Sequence, residues 1–335
     1  MDLPKPFPIL RLPFLAIEEV FKAMHPFEII NFSMISKRSK GITMQMSVCP
    51  RYSIELHIHE TLEIRFLGTK SEISCSYVMT SNKEMDGRVV ETDCGRHLNR
   101  NVFKYLDYSV NEWKQLCQHV LEIFKKQTID VLEMTMDAFV DHNVSIIDFL
   151  NTNVKSVDKC SLYQQDKKIN VDKHTAYLLD NITINSEFHS NVYYENEKFH
   201  GKLLKKLKKL SIYNSKWVRF DRLMEIDCKS VILGKNLIWD MEWNVFLQKW
   251  IAMETNQNLE YLELDHRELN VFRHHVLYGI PHEVVDRGVK RVLKTRRSKT
   301  KKIRGGIDIR RIDGKTATFF VHRVSSVKRF AMSIH

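Results

Sequence analysis

The chain has 335 residues, is 43% hydrophobic and 10% aromatic, and carries a formal net charge of +11. That composition belongs to a folded protein with a sizeable core and not to a disordered one. Eleven glycines and seven prolines are too few for long flexible linkers, and nothing approaches an apolar run long enough to span a membrane as a helix.

Pro4, Pro6, Pro8 and Pro13 interrupt the apolar N-terminal residues, and Glu18 and Glu19 follow, which argues against a signal peptide. Six cysteines stand far apart, at 49, 75, 94, 117, 160 and 228. They form no CxxC pair, so neither a disulfide framework nor a zinc finger is expected. The chain reads as intracellular, in a reducing compartment, cytoplasmic and/or nuclear. The charge is local. Residues 290–304, KRVLKTRRSKTKKIR, hold nine Lys or Arg and no acid, and without them the net charge falls from +11 to +2.

Residues 12–40 read as a compact helical unit. Leu12-Pro13 opens it, because proline suits the first turn of a helix. Leu15, Ile17, Val20, Phe21 and Met24 recur at helical spacing. His25-Pro26 breaks that helix, and Glu28 to Ser36 begins a second one, with Lys37, Arg38 and Lys40 as a basic exit. From about residue 46 the period changes to two: Tyr52 to His59 and Leu62 to Phe66 alternate, and Ile73 to Met79 and Arg88 to Glu91 add further strands. A short antiparallel β region is predicted over 46–108. An amphipathic helix follows over 110–127, with Trp113, Leu116, Val120, Ile123 and Phe124 on one face.

Between 129 and 265 the pattern apolar-x-x-apolar-x-apolar starts at 129, 157, 179, 207, 228 and 259. Its steps lie near the roughly 20–29-residue period of leucine-rich repeats. Helix-like segments fall in the intervals, at Val144–Leu150, Val171–Leu179, Arg219–Ile226 and Met241–Ile251. A repeated strand–helix unit buries its apolar edge only by stacking on its neighbours. The asparagine that usually follows the core strand is mostly missing, Asn236 being the one good fit, so an ordinary α/β domain is the alternative. Lys202 to Lys209 reads as the polar face of a repeat helix, its leucines forming the core. After Gly305-Gly306, residues 307–312 run into Asp313-Gly314, a type I′ turn signal, and 316–321 returns as the second strand of a hairpin.

The basic stretch 290–304 has three readings: phosphate contact with nucleic acid, a nuclear address, or a solvated loop. No aromatic interleaves it, and a solvated loop is favoured, with Lys290, Arg291, Arg296, Arg297, Lys301 and Lys302 the residues that would meet an acidic partner or nucleic acid. His57 with His59, Cys94 with His97, and His274 with His275 are the histidine and cysteine pairings, and none has the four-ligand spacing of a structural zinc site. Neither a metal nor a cofactor is therefore expected. The chain holds no nucleophile elbow, P-loop, dinucleotide fingerprint or HExxH motif, so a non-catalytic protein is expected. Trp217, Trp239, Trp243 and Trp250 read as core, with one or two available as exposed binding anchors.

The N-terminal unit resembles the F-box, whose pattern opens on Leu-Pro, places Leu-Asp-Pro-x-Asp-Leu about a dozen residues on, and ends near Val-Ser-Lys-Arg-Trp. Here Leu12-Pro13 is followed by Met24-His25-Pro26-Phe27-Glu28-Ile29 and Ile35-Ser36-Lys37-Arg38. His25 replaces the usual acid and Ser39 the common tryptophan. Together with stretches such as LKKLSIYNSKWV and NLEYLELDH, the chain resembles the nematode F-box proteins that carry an F-box associated domain of type 2, near residues 195–265. The resemblance implies a substrate-recognition subunit of a cullin-RING ubiquitin ligase, with the Skp adaptor, and through it a cullin, as partners and an unknown protein as target. It also implies adaptor contact through Leu12, Pro13, Ile17, Val20, Met24, Pro26, Ile29 and Ile30. A unit of about forty residues has too little interior to cover these groups alone, so a partner is expected to complete their packing. The rival reading of the same residues is a helical lead-in packed on its own β region.

The expected fold is thus α+β / α/β: an F-box over 1–45, a β region and amphipathic helix over 46–128, and a leucine-rich-repeat-like array with a C-terminal hairpin over 129–335. The alternative function is a nucleic-acid- or acidic-partner-binding protein acting through 290–304.

Overall fold

The computed structural model describes residues 9–46, 52–68, 73–93, 98–105, 109–195, 199–296, 299–324 and 326–335. Among the described residues helix and strand contribute almost equally, 33% and 37%. Two compact units are distinguished: Met1–Met134 with Asp141–Val157, and Thr135–Val140 with Asp158–His335.

The first unit opens with three helices, α1 (Phe14–Ala23), α2 (Pro26–Ile35) and α3 (Lys37–Met46). Pro13 is the N-cap of α1. His25 caps α2 by a reciprocal pair of bonds: the Glu28 N–H donates to His25 Nδ1 at 3.4 Å, and the His25 N–H donates to the Glu28 carboxylate at 3.0 Å. The imidazole therefore does the capping work more often done by an Asp, Asn, Ser or Thr side chain. Ser36 and Ser39 repeat the device at the start of α3, each accepting the other's N–H on its hydroxyl, at 2.8 and 3.1 Å. The basic exit expected after residue 36 is thus a helix, begun by a serine box. We expect His25→Ala to lower the thermal midpoint by a few degrees, about 1 kcal/mol, and His25→Asp to restore it. Thermal denaturation followed by circular dichroism measures both.

The sheet of this unit contains β1 (Tyr52–Ile58), β2 (Leu62–Gly68), β3 (Ile73–Thr80), β4 (Val89–Asp93), β5 (Leu98–Tyr105) and, after α4 (Ser109–Ile123), β6 (Thr128–Thr135). In space the order is β6-β1-β2-β3-β5-β4. β1–β2, β2–β3 and β4–β5 are antiparallel, but β3–β5 and β1–β6 are parallel. The region is therefore mixed and not antiparallel throughout. A parallel pair needs a long crossover. The connection between β3 and β5 includes β4, and that between β1 and β6 includes the elements from β2 to α4. Alternation buries Ile54, Leu56, Ile58, Leu62, Ile64 and Phe66 on one face. Helix α4 packs on β2 and β3 and buries Trp113, Leu116, Val120 and Ile123. α5 (Asn143–Asn153) follows β6 and packs on α4.

The second unit alternates strand and helix: β7 (Ser156–Tyr163), α6 (Asp172–Asn181), β8 (Ile184–Asn191), β9 (Lys209–Ile212), α7 (Phe220–Glu225), β10 (Ser230–Leu233), α8 (Asp240–Ile251), β11 (Tyr261–Asp265) and α9 (Leu269–His275). Strands β8 to β11 are parallel and in register, so that Phe188, Leu210, Val231 and Leu262 form one apolar row. Ser190, Ile212, Leu233 and Leu264 form a second row, all buried. The predicted strand cores at 207, 228 and 259 fall on these rows. The one at 179 does not: Leu179 lies in α6, and Ser190 takes the apolar place, its hydroxyl 2.9 Å from that of Tyr194. A serine on a buried row defeats a hydrophobic pattern search. Gly234 ends β10 where an added Cβ would sit 2.6 Å from the Tyr213 carbonyl oxygen, so only glycine fits that approach.

Residues 201–208 form no helix, contrary to the expectation for Lys202 to Lys209. Lysines at 202, 205, 206, 208 and 209 would repel at helical spacings. Leu203 and Leu207 are nevertheless buried.

The chain closes with β12 (Glu283–Lys294), β13 (Thr300–Arg310), β14 (Thr316–Val324) and β15 (Val327–Ile334), an antiparallel run whose last strand pairs with β11. The predicted hairpin is present, with a different turn. The Gly314 N–H donates to the Arg311 carbonyl at 2.9 Å, and of the turn residues Gly314 alone has positive φ, at 90°. This is a type I turn closed by a left-handed glycine and not a type I′ turn. The basic stretch also differs from the expected loop. Cross-strand pairs from Lys290↔Arg304 to Lys294↔Thr300 make it a β-ribbon, because Leu293 and Ile303 alternate inward and are buried.

Candidate docking surfaces

The eight residues expected to meet an adaptor separate by exposure. Ile17, Pro26, Ile29 and Ile30 are buried. Leu12 and Met24 pack partly against the Ile17–Phe21–Ile29–Phe32 cluster, Val20 is half-buried, and Pro13 is exposed. Within the same unit Tyr52 of β1 and Phe124, just after α4, pack on that cluster and cover part of it. The apolar side chains left to solvent here are Phe14 (57%), Leu15 (74%), Met34 (46%) and Ile35 (74%). Leu15 shares the helical spacing of Ile17, Val20, Phe21 and Met24 but is left bare. Apolar periodicity does not distinguish a face that packs at home from one left bare, so the exposure of Phe14, Met34 and Ile35 has no signal in the sequence.

Between α2 and the sheet lies a groove of about 500 Å³, lined by Phe27, Asn31 and Met34 on the helix and Tyr77, Arg100 and Val102 on strands. Phe27 and Tyr77 meet edge to face at 4.6 Å, and burial pushes the Tyr77 phenol well above its usual range.

In the second unit, polar groups converge on Glu263 of β11, which is fully buried. Arg296 donates to its carboxylate through Nε at 2.7 Å and through Nη2, and the Tyr261 hydroxyl donates at 2.7 Å. His322 Nε2 lies 3.6 Å from the same carboxylate. Burial alone would raise the Glu263 pKa, but the His322, Arg296 and Tyr261 hydrogen bonds prevail and hold it at about 2. The cluster joins β11 to the β12–β13 turn and to β14.

Of the basic residues singled out, Arg291 is paired with Asp308 at 2.8 Å, Arg296 with Glu263, and Lys301 donates to the Arg323 carbonyl at 3.1 Å. Lys290 and Lys302 are exposed, and Arg297 lies outside the described residues. Part of the basic stretch is thus committed to partners within the unit.

Three of the four tryptophans considered, Trp217, Trp243 and Trp250, are buried. Trp239 is 73% exposed at the start of α8, with Met241 at 80% and Tyr278 at 81%. Asn244 of α8 donates to the Val276 and Tyr278 carbonyls at 2.7 and 2.8 Å, which fixes the Tyr278 segment beside the helix. Asn236 donates to the Val218 carbonyl at 3.0 Å, and Asn214, one repeat earlier, donates to that of Val192 at 3.0 Å.

Residues 198–264 match the F-box associated family. The match takes in β9 to β11 with α7 and α8 and falls within the 195–265 stretch expected from the resemblance. The chain is 22% identical over 287 residues to the Skn-1 dependent zygotic transcript 15 protein of Caenorhabditis elegans, covering 77% of this chain and 81% of that protein. No solved structure matches. Among the described residues no helix is long and apolar enough to cross a membrane.

Proposed function

We propose that this protein is a non-catalytic substrate receptor of a Skp–cullin–F-box ubiquitin ligase. The observation that carries the reading is the F-box associated match over 198–264 in a chain whose first helix opens at Leu12-Pro13. The N-terminal helices would act as the F-box and present Pro13, Phe14, Leu15 and Ile35 to the Skp adaptor. The parallel strand–helix array of the second unit, read as leucine-rich-repeat-like, would hold the protein target. Ubiquitin transfer would belong to other subunits.

The test is reconstitution of the purified chain with a nematode Skp adaptor. A 1:1 complex on gel filtration, extended to a ternary complex by the cullin, is the expected result, and its absence overturns the proposal.

The target face is assigned to Trp239, Met241 and Tyr278, because exposed aromatics beside a rigid helix are the residues that dominate interfaces. Trp239→Ala with Tyr278→Ala is expected to remove a subset of proximity-labelled proteins by tenfold or more while leaving adaptor binding unchanged. An unaltered set would assign target binding elsewhere.

A further inference from the structure

We propose that His57, His59 and Glu133 form a binding site for a divalent transition metal ion of the zinc class. Strand geometry assembles it. β1 and β6 run parallel with His57 directly opposite Glu133. His59 stands two residues beyond His57, on the same face, where its N–H donates to the Thr61 carbonyl at 3.0 Å and turns the chain toward β2.

The spacing of the donor atoms suits such an ion. Glu133 Oε2 lies 3.3 Å from His57 Nδ1 and 3.5 Å from His59 Nε2. Around a tetrahedral zinc ion with bonds of about 2.0–2.1 Å, neighbouring ligand atoms are about 3.3–3.4 Å apart. Two edges of the ligand triangle therefore already have the required length. The third, between the two imidazoles, lies within 4.8 Å, a gap that a small rotation of the partly exposed His59 closes.

The surroundings complete the case. His57 Nε2 is 3.1 Å from the carboxylate of Glu55, and both residues are buried. A carboxylate on one imidazole nitrogen fixes the tautomer and leaves the lone pair of the other for the metal, the arrangement that orients ligating histidines generally. On the opposite flank Glu63 faces His57, and Arg65 engages it at 3.2 Å. Three carboxylates against one guanidinium leave a local field that favours a cation. Side-chain exposures of 34% for His59 and 30% for Glu133 leave a fourth position open, to water or to a donor from a bound protein.

Isothermal titration of Zn²⁺ into the chelator-stripped full chain tests the site. One equivalent should bind with a Kd of about 1 µM or tighter. His59→Ala and Glu133→Gln, both partly exposed and so compatible with the fold, should each weaken binding at least tenfold. Glu55→Gln, which removes only the orienting carboxylate, should weaken it about 10–100-fold. Co²⁺ should give the visible absorption of a tetrahedral centre, lost in His59→Ala. Absence of a 1:1 event, or Zn²⁺ affinity unchanged in His59→Ala and Glu133→Gln, overturns the proposal.

Discussion

Glu263→Gln is expected to destabilise the second unit by about 3–5 kcal/mol, the scale for removing one partner from a buried ion pair. The amide keeps the size of the carboxylate and removes its charge. Arg296, whose Nε and Nη2 converge on that carboxylate, would be left half-buried without a counter-charge, and Arg329 Nε, 3.9 Å away, would lose the same field. In a unit of this size that loss corresponds to a fall in the thermal midpoint of roughly ten degrees or more. The pH dependence gives an independent reading. Glu263 has a folded pKa of about 2, below its ordinary value of 4.5. A depressed carboxylate contributes stability that is fully present above the unfolded pKa and is lost as pH falls through the folded one. Wild-type stability should therefore drop between about pH 5 and pH 2, and Glu263→Gln should remove much of that dependence. Urea unfolding across this range distinguishes the two curves, and parallel curves would show that Glu263 is not the group responsible.

Leu15→Asp and Ile35→Asp are each expected to weaken Skp-adaptor binding by at least thirtyfold, about 2 kcal/mol, with the thermal midpoint nearly unchanged. Both side chains are 74% exposed, so the folded chain alone gains little from them. An adaptor that covers them would have to bury a carboxylate. Ile30→Ala is the contrasting variant. Ile30 is fully buried, and its truncation should cost about 2–5 kcal/mol of stability, so any loss of binding would follow from unfolding. Surface plasmon resonance against the adaptor, with circular dichroism on the same samples, separates the two effects. Retained binding by both aspartate variants would exclude this surface as the docking site.

Local features of the sequence carried the helices well. Pro13 opens α1, His25-Pro26 separates α1 from α2, and the spacing of Trp113, Leu116, Val120 and Ile123 defines the buried face of α4, because each of these signals acts within a few residues. The strand cores containing Leu210, Val231 and Leu262 were legible for the same reason: an apolar row along a parallel sheet demands an apolar residue at each crossing. Where Ser190 takes such a place through a hydroxyl contact, the pattern fails and the strand is misplaced.

What the tertiary structure decided concerns pairs of residues far apart in the chain. Ile29 and Leu15 are indistinguishable as apolar residues on neighbouring helices, yet Ile29 joins the cluster that Tyr52 and Phe124 cover, and Leu15 remains bare. The nine positive charges of 290–304 suggest a solvated loop until β12 and β13 pair, Leu293 and Ile303 turn inward, and Arg296 reaches Glu263. His57 and His59 stand as an ordinary pair two residues apart until β6 places Glu133 opposite His57 and within 3.5 Å of His59. In each instance the deciding neighbour is brought in by sheet register. Register follows from burying a whole face at once, and no short segment of sequence contains that information.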